Sequence, residues 1–431
     1  MLSLHIPADP ILADTPFAFD KLGRKELASV LTRYIDRLNF GATIAIDAGW
    51  GRGKTWFAKN WINDLKANGY SALYIDSFEN DYVEDPFSLI SSEIIELMDT
   101  DDKKKAFLKK AADVALAIAP TSLKALANFG GKQILGLADL TGKVELIAEK
   151  ISERSSDALE KILEEKIKKH KENKKAIGEF RKLFSDFSIA KEKPLIVVID
   201  ELDRCKPKFS VDLLERIKHF FDVNNVVFVL FLNKEQMHSA IKGVYGQATD
   251  AHTYLEKFLN FTFTLDPPEN RSLREFIEAE FKKYKVPEEV QTREFIDGIC
   301  ELAAPFNLTL RQIQRIVPFL SLAHPISSAG ILLAMLAVLK VSRPDLFNGI
   351  IENDHDSLLE IKEILNSHKK ELERKRVSLG EIEFLTALHN AWPTPEDSDE
   401  RSLLSREYSF KVEKAERDYK NVAKLLNIMV R

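Results

Sequence analysis

A glycine-rich segment has the residue types and the spacing needed to bind phosphate. It runs GWGRGKT, from Gly49 to Thr55. Glycine lacks a Cβ, so this backbone can adopt positive φ angles and bring its N–H groups close to a phosphate, and the residues concerned are Gly49, Gly51 and Gly53. Lys54 can then reach the outer phosphates of a nucleoside triphosphate. Thr55 opens a helix and offers its hydroxyl to Mg²⁺.

The loop departs at one position from the pattern G-x-x-x-x-G-K-[ST]. Ala48 stands where that pattern has its first glycine, and we expect Gly49 beside it to absorb any strain. Trp50 and Arg52 complete the predicted nucleotide-binding loop. The alternative is a flexible glycine loop without a ligand. An apolar, β-branched run before the loop and a helical pattern after it favour the phosphate-binding interpretation.

Two acidic residues follow a second apolar run and could supply the remaining chemistry. The run Pro194–Asp200, PLIVVID, is typical of a strand that is buried on both faces. We assign Asp200 to the Mg²⁺ shell opposite Thr55, and Glu201 to the base that orients and deprotonates an attacking water. Many buried strands end in solvated carboxylates, but the phosphate loop elsewhere in the chain favours the catalytic interpretation.

Three further polar residues each allow two interpretations. Asn233 follows the apolar run Val226–Leu232 and could contact the γ-phosphate or cap the next helix. Arg311, one helical turn before Arg315, could clamp a phosphate or form a salt bridge. Arg204 could serve a neighbouring subunit's phosphate or brace its own loop.

Composition limits the class of protein. The chain has 431 residues, 45% of them hydrophobic, a formal net charge of −5 and two cysteines. This length predicts two or more domains, and the cysteine count excludes a disulfide framework and favours a reducing compartment. We find no secretory signal and no apolar run long enough to span a bilayer, so we expect a cytoplasmic protein. The negative charge argues against general nucleic-acid binding.

Hydrophobic periodicity predicts an α/β fold with a parallel sheet, a large helical insertion and helical regions at the C-terminal end. Strand patterns begin near residues 42, 71, 194, 226 and 261, and residues 101–193 are helical and charged, with one apolar face. We predict a nucleotide-binding core formed by residues 1–100 and 194–268, and the insertion at 101–193. A helical lid at 269–345 and a helical region at 346–431 follow. Pro393 and Pro395 predict an exposed linker before a last helix, Tyr408–Met429.

Five segments together resemble the KAP family of P-loop NTPases. They are the D-x-LGR entry at Asp20–Arg24, the GWGRGKT loop, IDELDRC at Ile199–Cys205, the segment Tyr254–Pro267, and LTLRQIQR at Leu308–Arg315. The resemblance covers roughly Asp20 to Ala323. It implies an ATPase core with an additional strand between the two nucleotide motifs, a helical lid, and ATP and Mg²⁺ as ligands. Family members often carry membrane-spanning helices where this chain has its charged insertion, and bacterial members include phage-exclusion proteins.

These observations allow three functional hypotheses. The first is an ATP-dependent switch in antiviral defence: ATP closes the lid through Arg311, hydrolysis by Glu201 releases it, and the insertion relays the change to a protein partner. The second is a scaffold that retains nucleotide without hydrolysing it, which the Ala48 departure suggests. The third and weakest is an ATPase acting on nucleic acid. A homo-oligomer and peripheral membrane contact by the insertion are further possibilities.

Overall fold

The computed structural model describes residues 10–118, 158–284, 290–323 and 330–408, except positions 39, 84, 393 and 395–397, and also residues 417, 418, 421 and 422. The strands are β1 (Ala42–Asp47), β2 (Ala72–Asp76), β3 (Leu195–Asp200), β4 (Val226–Leu232) and β5 (Phe261–Thr264). The helices up to the end of the sheet are α1 (Arg24–Ile35), α2 (Lys54–Ala67), α3 (Pro86–Ile95), α4 (Asp101–Ile118), α5 (Ala158–Ile189), α6 (Pro207–Arg216), α7 (Lys234–Tyr245) and α8 (Ala251–Glu256).

Within the ranges just given, eight helices follow β5. They are α9 (Asn270–Lys283), α10 (Val290–Ala303), α11 (Leu310–Ala323), α12 (Gly330–Ser342), α13 (Pro344–Glu352), α14 (His355–Lys375), α15 (Gly380–Ala391) and α16 (Asp399–Tyr408). A short 3₁₀ turn, Leu202–Arg204, follows β3, and a π-helical turn, Ile217–Phe221, ends α6.

The five strands form one parallel sheet in the order β2-β3-β4-β1-β5. β3 and β4 are buried along their whole lengths, as continuous apolar runs require when helices cover both faces of a sheet. β4 lies between β1, which precedes the phosphate loop, and β3, which precedes the two acids. The predicted parallel α/β sheet with an additional strand between the nucleotide motifs is therefore confirmed.

Alternate residues of each strand point to opposite faces of the sheet and enter different hydrophobic clusters. Ile44 and Ile46 of β1 pack with residues of α1 and α2, whereas Ala45 packs on the other face with residues of α3, α4 and α6. The sheet is thus the middle of three layers. Since all its strands are parallel, the loops that follow β1 and β3 emerge at the same edge.

The described part of the insertion packs on the sheet's own helices. Phe180 and Phe184 of α5 are fully buried, with Phe107 of α4, Phe87 of α3 and Phe221 around them. The apolar face of α5 is therefore covered by the protein's own core around Phe180 and Phe184. The rest of the predicted contact region, residues 119–140, lies outside the described residues.

The helices after β5 share a separate hydrophobic cluster, which includes residues from α9 to α16. Pro393 and Pro395 of the predicted linker lie outside the described residues. In the described residues around them the exposed linker is wrong: Trp392 is 4% exposed, its indole N–H donates to Asn353, and α16 begins at Asp399, where acidic side chains suit a helix start. The predicted helix Tyr408–Met429 lies almost wholly outside the described residues. In the described ranges, no helix has the length and apolar character to cross a membrane. The domain boundaries remain a prediction.

Candidate nucleotide-binding site

A cavity of about 490 Å³ lies where the loops after β1 and β3 meet the helices that follow β5. Residues from three parts of the chain line it: the N-terminal segment (Phe19, Asp20, Lys21, Leu22 and Arg24), the loops (Gly49, Gly51–Trp56, Asp200, Glu201, Asp203 and Arg204), and helices α9 and α11 (Phe276, Leu310, Arg311, Gln314 and Arg315). This volume is in the range of small-molecule sites.

The loop backbone has the conformation that a phosphate cradle needs at two of its three glycines. Gly51 has φ 76° and Gly53 has φ 86°, in the left-handed region that side chains disfavour. Gly49 is not at a positive φ, and a Cβ there would meet no atom within 4 Å, so the expected positive φ at Gly49 is wrong. Ala48 is buried and its backbone is also outside the left-handed region, so its methyl group causes no backbone strain. There is therefore no strain at Ala48 for Gly49 to absorb.

Lys54 lies at the start of α2, beneath the loop. Its Nζ donates to the carbonyl oxygens of Ala48, at 2.6 Å, and Gly49, at 3.3 Å. Burial lowers the pKa of Lys54, and the nearby Asp203 and Asp200 carboxylates partly oppose this effect. The ammonium group is therefore anchored inside the cavity, within the loop that is to hold phosphate.

Asp200 and Thr55 supply an oxygen donor set of the kind that Mg²⁺ prefers. Asp200 is fully buried; its Oδ1 accepts from the backbone N–H of Glu201 at 2.8 Å, and its Oδ2 accepts from the Tyr74 hydroxyl at 3.1 Å. Burial raises the pKa of Asp200, and a bound cation would favour the ionised form. Within the described residues, no cluster of three or more His, Cys, Asp or Glu could hold a metal by itself. The residues fit a Mg²⁺ ion that substrate phosphates and water also ligate.

Glu201 has a strained backbone at the end of β3. Its φ is 60°, in the left-handed region, where a residue with a side chain costs about 1–2 kcal/mol. Its Oε1 lies 2.9 Å from Nη1 of Arg204 and 3.4 Å from Oγ1 of Thr55. Burial raises the pKa of Glu201, while the Arg204 charge lowers it. Strained residues of this kind cluster at functional sites.

The helices beyond β5 contact the phosphate loop directly. The backbone N–H of Arg311 donates to the Gly51 carbonyl at 3.2 Å. Arg52 donates to the Leu308 carbonyl at 3.1 Å and also to the side chain of Asn307. The predicted lid is thus held against the loop at the start of α11, and Arg311 and Arg315 both line the cavity.

A family model described as the KAP family P-loop domain matches residues 24–327, which is most of the chain. This chain belongs to the KAP family of P-loop NTPases. No curated protein has a significantly similar sequence.

Several solved structures resemble this KAP chain at a distance. The ORC2 protein of Aeropyrum pernix is 12% identical over 93% of this chain and 94% of its own, with a TM-score of 0.37. Domain III of the Thermotoga maritima replication initiation protein DnaA is 13% identical over 78% of this chain and 100% of its own, with a TM-score of 0.33. DnaA from Aquifex aeolicus is 12% identical over 94% and 92%, with a TM-score of 0.30.

Two of the predicted site residues lie outside the wall of this cavity. Trp50 is 48% exposed, and its indole N–H donates to Oδ2 of Asp203 at 2.5 Å, which joins the phosphate loop to the turn after β3. Asn233 accepts from the backbone N–H of Glu235 at 3.0 Å and caps α7, as in the second of its two interpretations. The other predicted residues converge on one cavity in this KAP chain.

Sequence reasoning missed the residues that form the rest of the wall: Phe19, Asp20, Lys21, Leu22, Arg24, Trp56, Asp203, Phe276, Leu310 and Gln314. Arg24 is buried and donates to the Asp266 carbonyl at 2.9 Å, which links the N-terminal segment to the chain just after β5. Arg24 and Asp203 both fall within segments that carry the KAP resemblance, so a signal was present. Phe276 and Gln314 lie in amphipathic helices, where the sequence does not distinguish residues that line a cavity from residues of the hydrophobic core.

Proposed function

We propose that this KAP chain binds and hydrolyses ATP and acts as a nucleotide-dependent switch. The observation that carries the proposal is convergence: the phosphate loop, the two acids after β3 and the arginines of α11 line one cavity. Each group comes from a different part of the chain, and their combination is typical of phosphoryl transfer.

The residues have distinct roles in this proposal. Lys54 exchanges the Ala48 and Gly49 carbonyls for the outer phosphates, and loop N–H groups bind the remaining oxygens. Thr55 and Asp200 would hold Mg²⁺, which when bound neutralises developing charge on the phosphates. Glu201 orients the attacking water and accepts its proton. Arg311 and Arg315 of α11 also line the cavity, and their guanidinium groups suit phosphate oxygens.

Nucleotide-dependent lid movement would supply the switch. The lid already contacts the loop through Arg311, Arg52 and Leu308, so a change in the loop on phosphate release has a direct route to α11. The hydrophobic cluster of the lid continues to α16, so the movement would carry the C-terminal helices with it.

The test is phosphate release from ATP, with and without Mg²⁺. Wild type is expected to turn over, and Lys54→Ala to lose turnover because the phosphates lose their cation. Lys66→Ala, an exposed lysine on the same helix, is the matched control and should behave as wild type. Equal turnover in wild type and Lys54→Ala would overturn the proposal.

The biological role that we propose is antiviral defence in the bacterial cytoplasm, with a protein partner that supplies the output. Its support is the resemblance to family members that exclude phage, so it stands apart from the chemistry. Expression of wild type in a phage-sensitive bacterium should lower plaque counts, and expression of Lys54→Ala should not.

A second candidate is a nucleotide-retaining scaffold. The ion pair between Arg204 and Glu201 favours it, because the proposed base is engaged by a cation in this structure. Nucleotide that stays bound through purification, with no phosphate release under any condition, would support the scaffold over the switch. Ala48 gives it no support, since its backbone is unstrained.

A further inference from the structure

A buried carboxylate lies behind the lid wall of the cavity. Glu280, on α9, is 1% exposed, and its Oε1 accepts from Nζ of Lys283 at 2.7 Å and from Nε2 of Gln314 at 3.1 Å. Glu280 and Lys283 form an ion pair, and a carboxylate in an ion pair accepts hydrogen bonds and donates none. Gln314 must therefore turn its NH₂ group, and not its oxygen, towards Glu280. This contact fixes the orientation of the Gln314 amide.

Gln314 lines the cavity, whereas Glu280 does not. One N–H of Nε2 is committed to Glu280, which fixes the amide, so its acceptor, the Oε1 atom, is held in one position for a ligand. In the described part of the chain, no other residue makes a hydrogen bond to this side chain. The lid therefore offers the ligand a fixed hydrogen-bond acceptor.

The surroundings of Gln314 suit the base of a nucleotide better than its phosphates. Phe276 lies one helical turn before Glu280, so Phe276 and the Gln314 bound to Glu280 are on the same side of the lid. Phe276 lines the cavity together with Phe19 and Leu22, and Leu22 packs against the lid's hydrophobic cluster. Apolar side chains with one polar group between them are typical of the recognition of a flat aromatic ligand.

We propose that Gln314 makes the site select adenine over guanine nucleotides, with Glu280 as the positioning residue. The inference rests on the proposed nucleotide site. Adenine carries an amino group, a donor, at the position where guanine carries an oxygen. The Gln314 oxygen accepts from the adenine amino group, whereas it would oppose the guanine oxygen and leave both acceptors unpaired. One such contact corresponds to about tenfold in affinity.

The test is the dissociation constant of ATP and of GTP, each with Mg²⁺, measured by titration calorimetry. Wild type should bind ATP at least about tenfold more tightly than GTP. In Glu280→Gln, the neutral side chain can donate as well as accept, so it no longer holds the Gln314 amide in one orientation. The ratio should then fall towards one. Glu275→Gln, the same change at an exposed residue of α9, should keep the wild-type ratio.

A second variant covers the case in which Glu280→Gln fails to fold. Gln314→Met keeps the shape and loses the acceptor, so ATP should bind more weakly while GTP does not. Equal affinity of wild type for the two nucleotides, or a ratio unchanged in both folded variants, would overturn the inference and leave the ATPase proposal standing. Folded wild type that binds neither nucleotide would overturn both.

Discussion

Arg204 and Glu201 form an ion pair in the wall of the cavity, with Nη1 of Arg204 2.9 Å from Oε1 of Glu201. Burial raises the pKa of Glu201, and the arginine opposes that rise. Glu201 must be ionised to accept a proton, so phosphate release should fall as pH falls through this pKa. In Arg204→Ala the pKa rises further, and the acid limb of the rate profile should move to higher pH.

The control for this prediction is Arg204→Lys, which keeps the positive charge beside Glu201. Its acid limb should stay near that of wild type when phosphate release is measured across pH 5–9. An Arg204→Ala profile that coincides with wild type would show that the pair has no influence on the base.

The glycines of the phosphate loop should differ sharply in their tolerance of a methyl group. A Cβ on Gly51 would lie 2.9 Å from Oγ1 of Thr309, at a φ of 76°, and left-handed backbone alone costs about 1–2 kcal/mol. Gly51→Ala should therefore weaken ATP binding about tenfold or more, because the loop must carry that strain when it binds phosphate. Gly49→Ala is the matched variant, since a Cβ there meets nothing within 4 Å, and it should bind ATP as wild type does. Similar affinities in the two variants would contradict the described loop geometry.

The aromatic cluster that joins α5 to the core should carry much of the stability of this region. Phe180 is fully buried, with ring centroids 5.2 Å from Phe107 and 5.4 Å from Phe87. Phe180→Ala should lower the free energy of unfolding by about 3–5 kcal/mol, as loss of a core ring does. Phe78→Ala, at a ring that is 48% exposed, should cost about 0.5 kcal/mol or less. Urea denaturation checks both, and a small loss for Phe180→Ala would place α5 off the core.

Glu301 should make stability depend on pH. Its Oε2 accepts from the backbone N–H of Ile382 at 2.9 Å, but burial, aided by Glu381 and Asp297, raises its pKa from 4.5 to about 7. Between these values the folded state binds more protons than the unfolded state, so this contribution to stability is present at low pH and is lost as pH rises through that window.

Glu301→Gln keeps an acceptor for Ile382 and removes the titrating group, so stability should change less between pH 5 and pH 7.5 than in wild type. Glu373→Gln, at an exposed residue of α14, should retain the wild-type dependence. Urea midpoints at the two pH values decide the matter, and identical pH dependence in wild type and Glu301→Gln would contradict the assignment.

Local patterns in the sequence were enough to predict the strands of the sheet. The five apolar runs became the five strands, and residues such as Lys54, Thr55, Asp200 and Glu201 converged because parallel strands bring their carboxyl ends to one edge. These residues have recognisable spacing within single segments. The same local reasoning placed too much weight on Gly49, because backbone angles within a loop depend on what packs around it.

The part of the cavity wall formed by residues distant in sequence could not be predicted from the sequence. Gln314 forms a hydrogen bond with Glu280, which is 34 positions away in the chain. The exposure of Trp50 depends on how the phosphate loop lies against the turn after β3. Helical periodicity indicates that Phe276 faces inwards, but not whether it meets core or ligand. The apolar face of α5 raised the same question, and there the contact is with the core.

The function proposed for this cavity depends on Glu201 as the base for ATP hydrolysis. The most direct measurement is ATP binding and phosphate release by Glu201→Gln beside wild type. We expect ATP affinity within about threefold of wild type, and phosphate release lower by about 10²–10⁴-fold, the range for loss of a general base. Full turnover by Glu201→Gln would exclude Glu201 as that base.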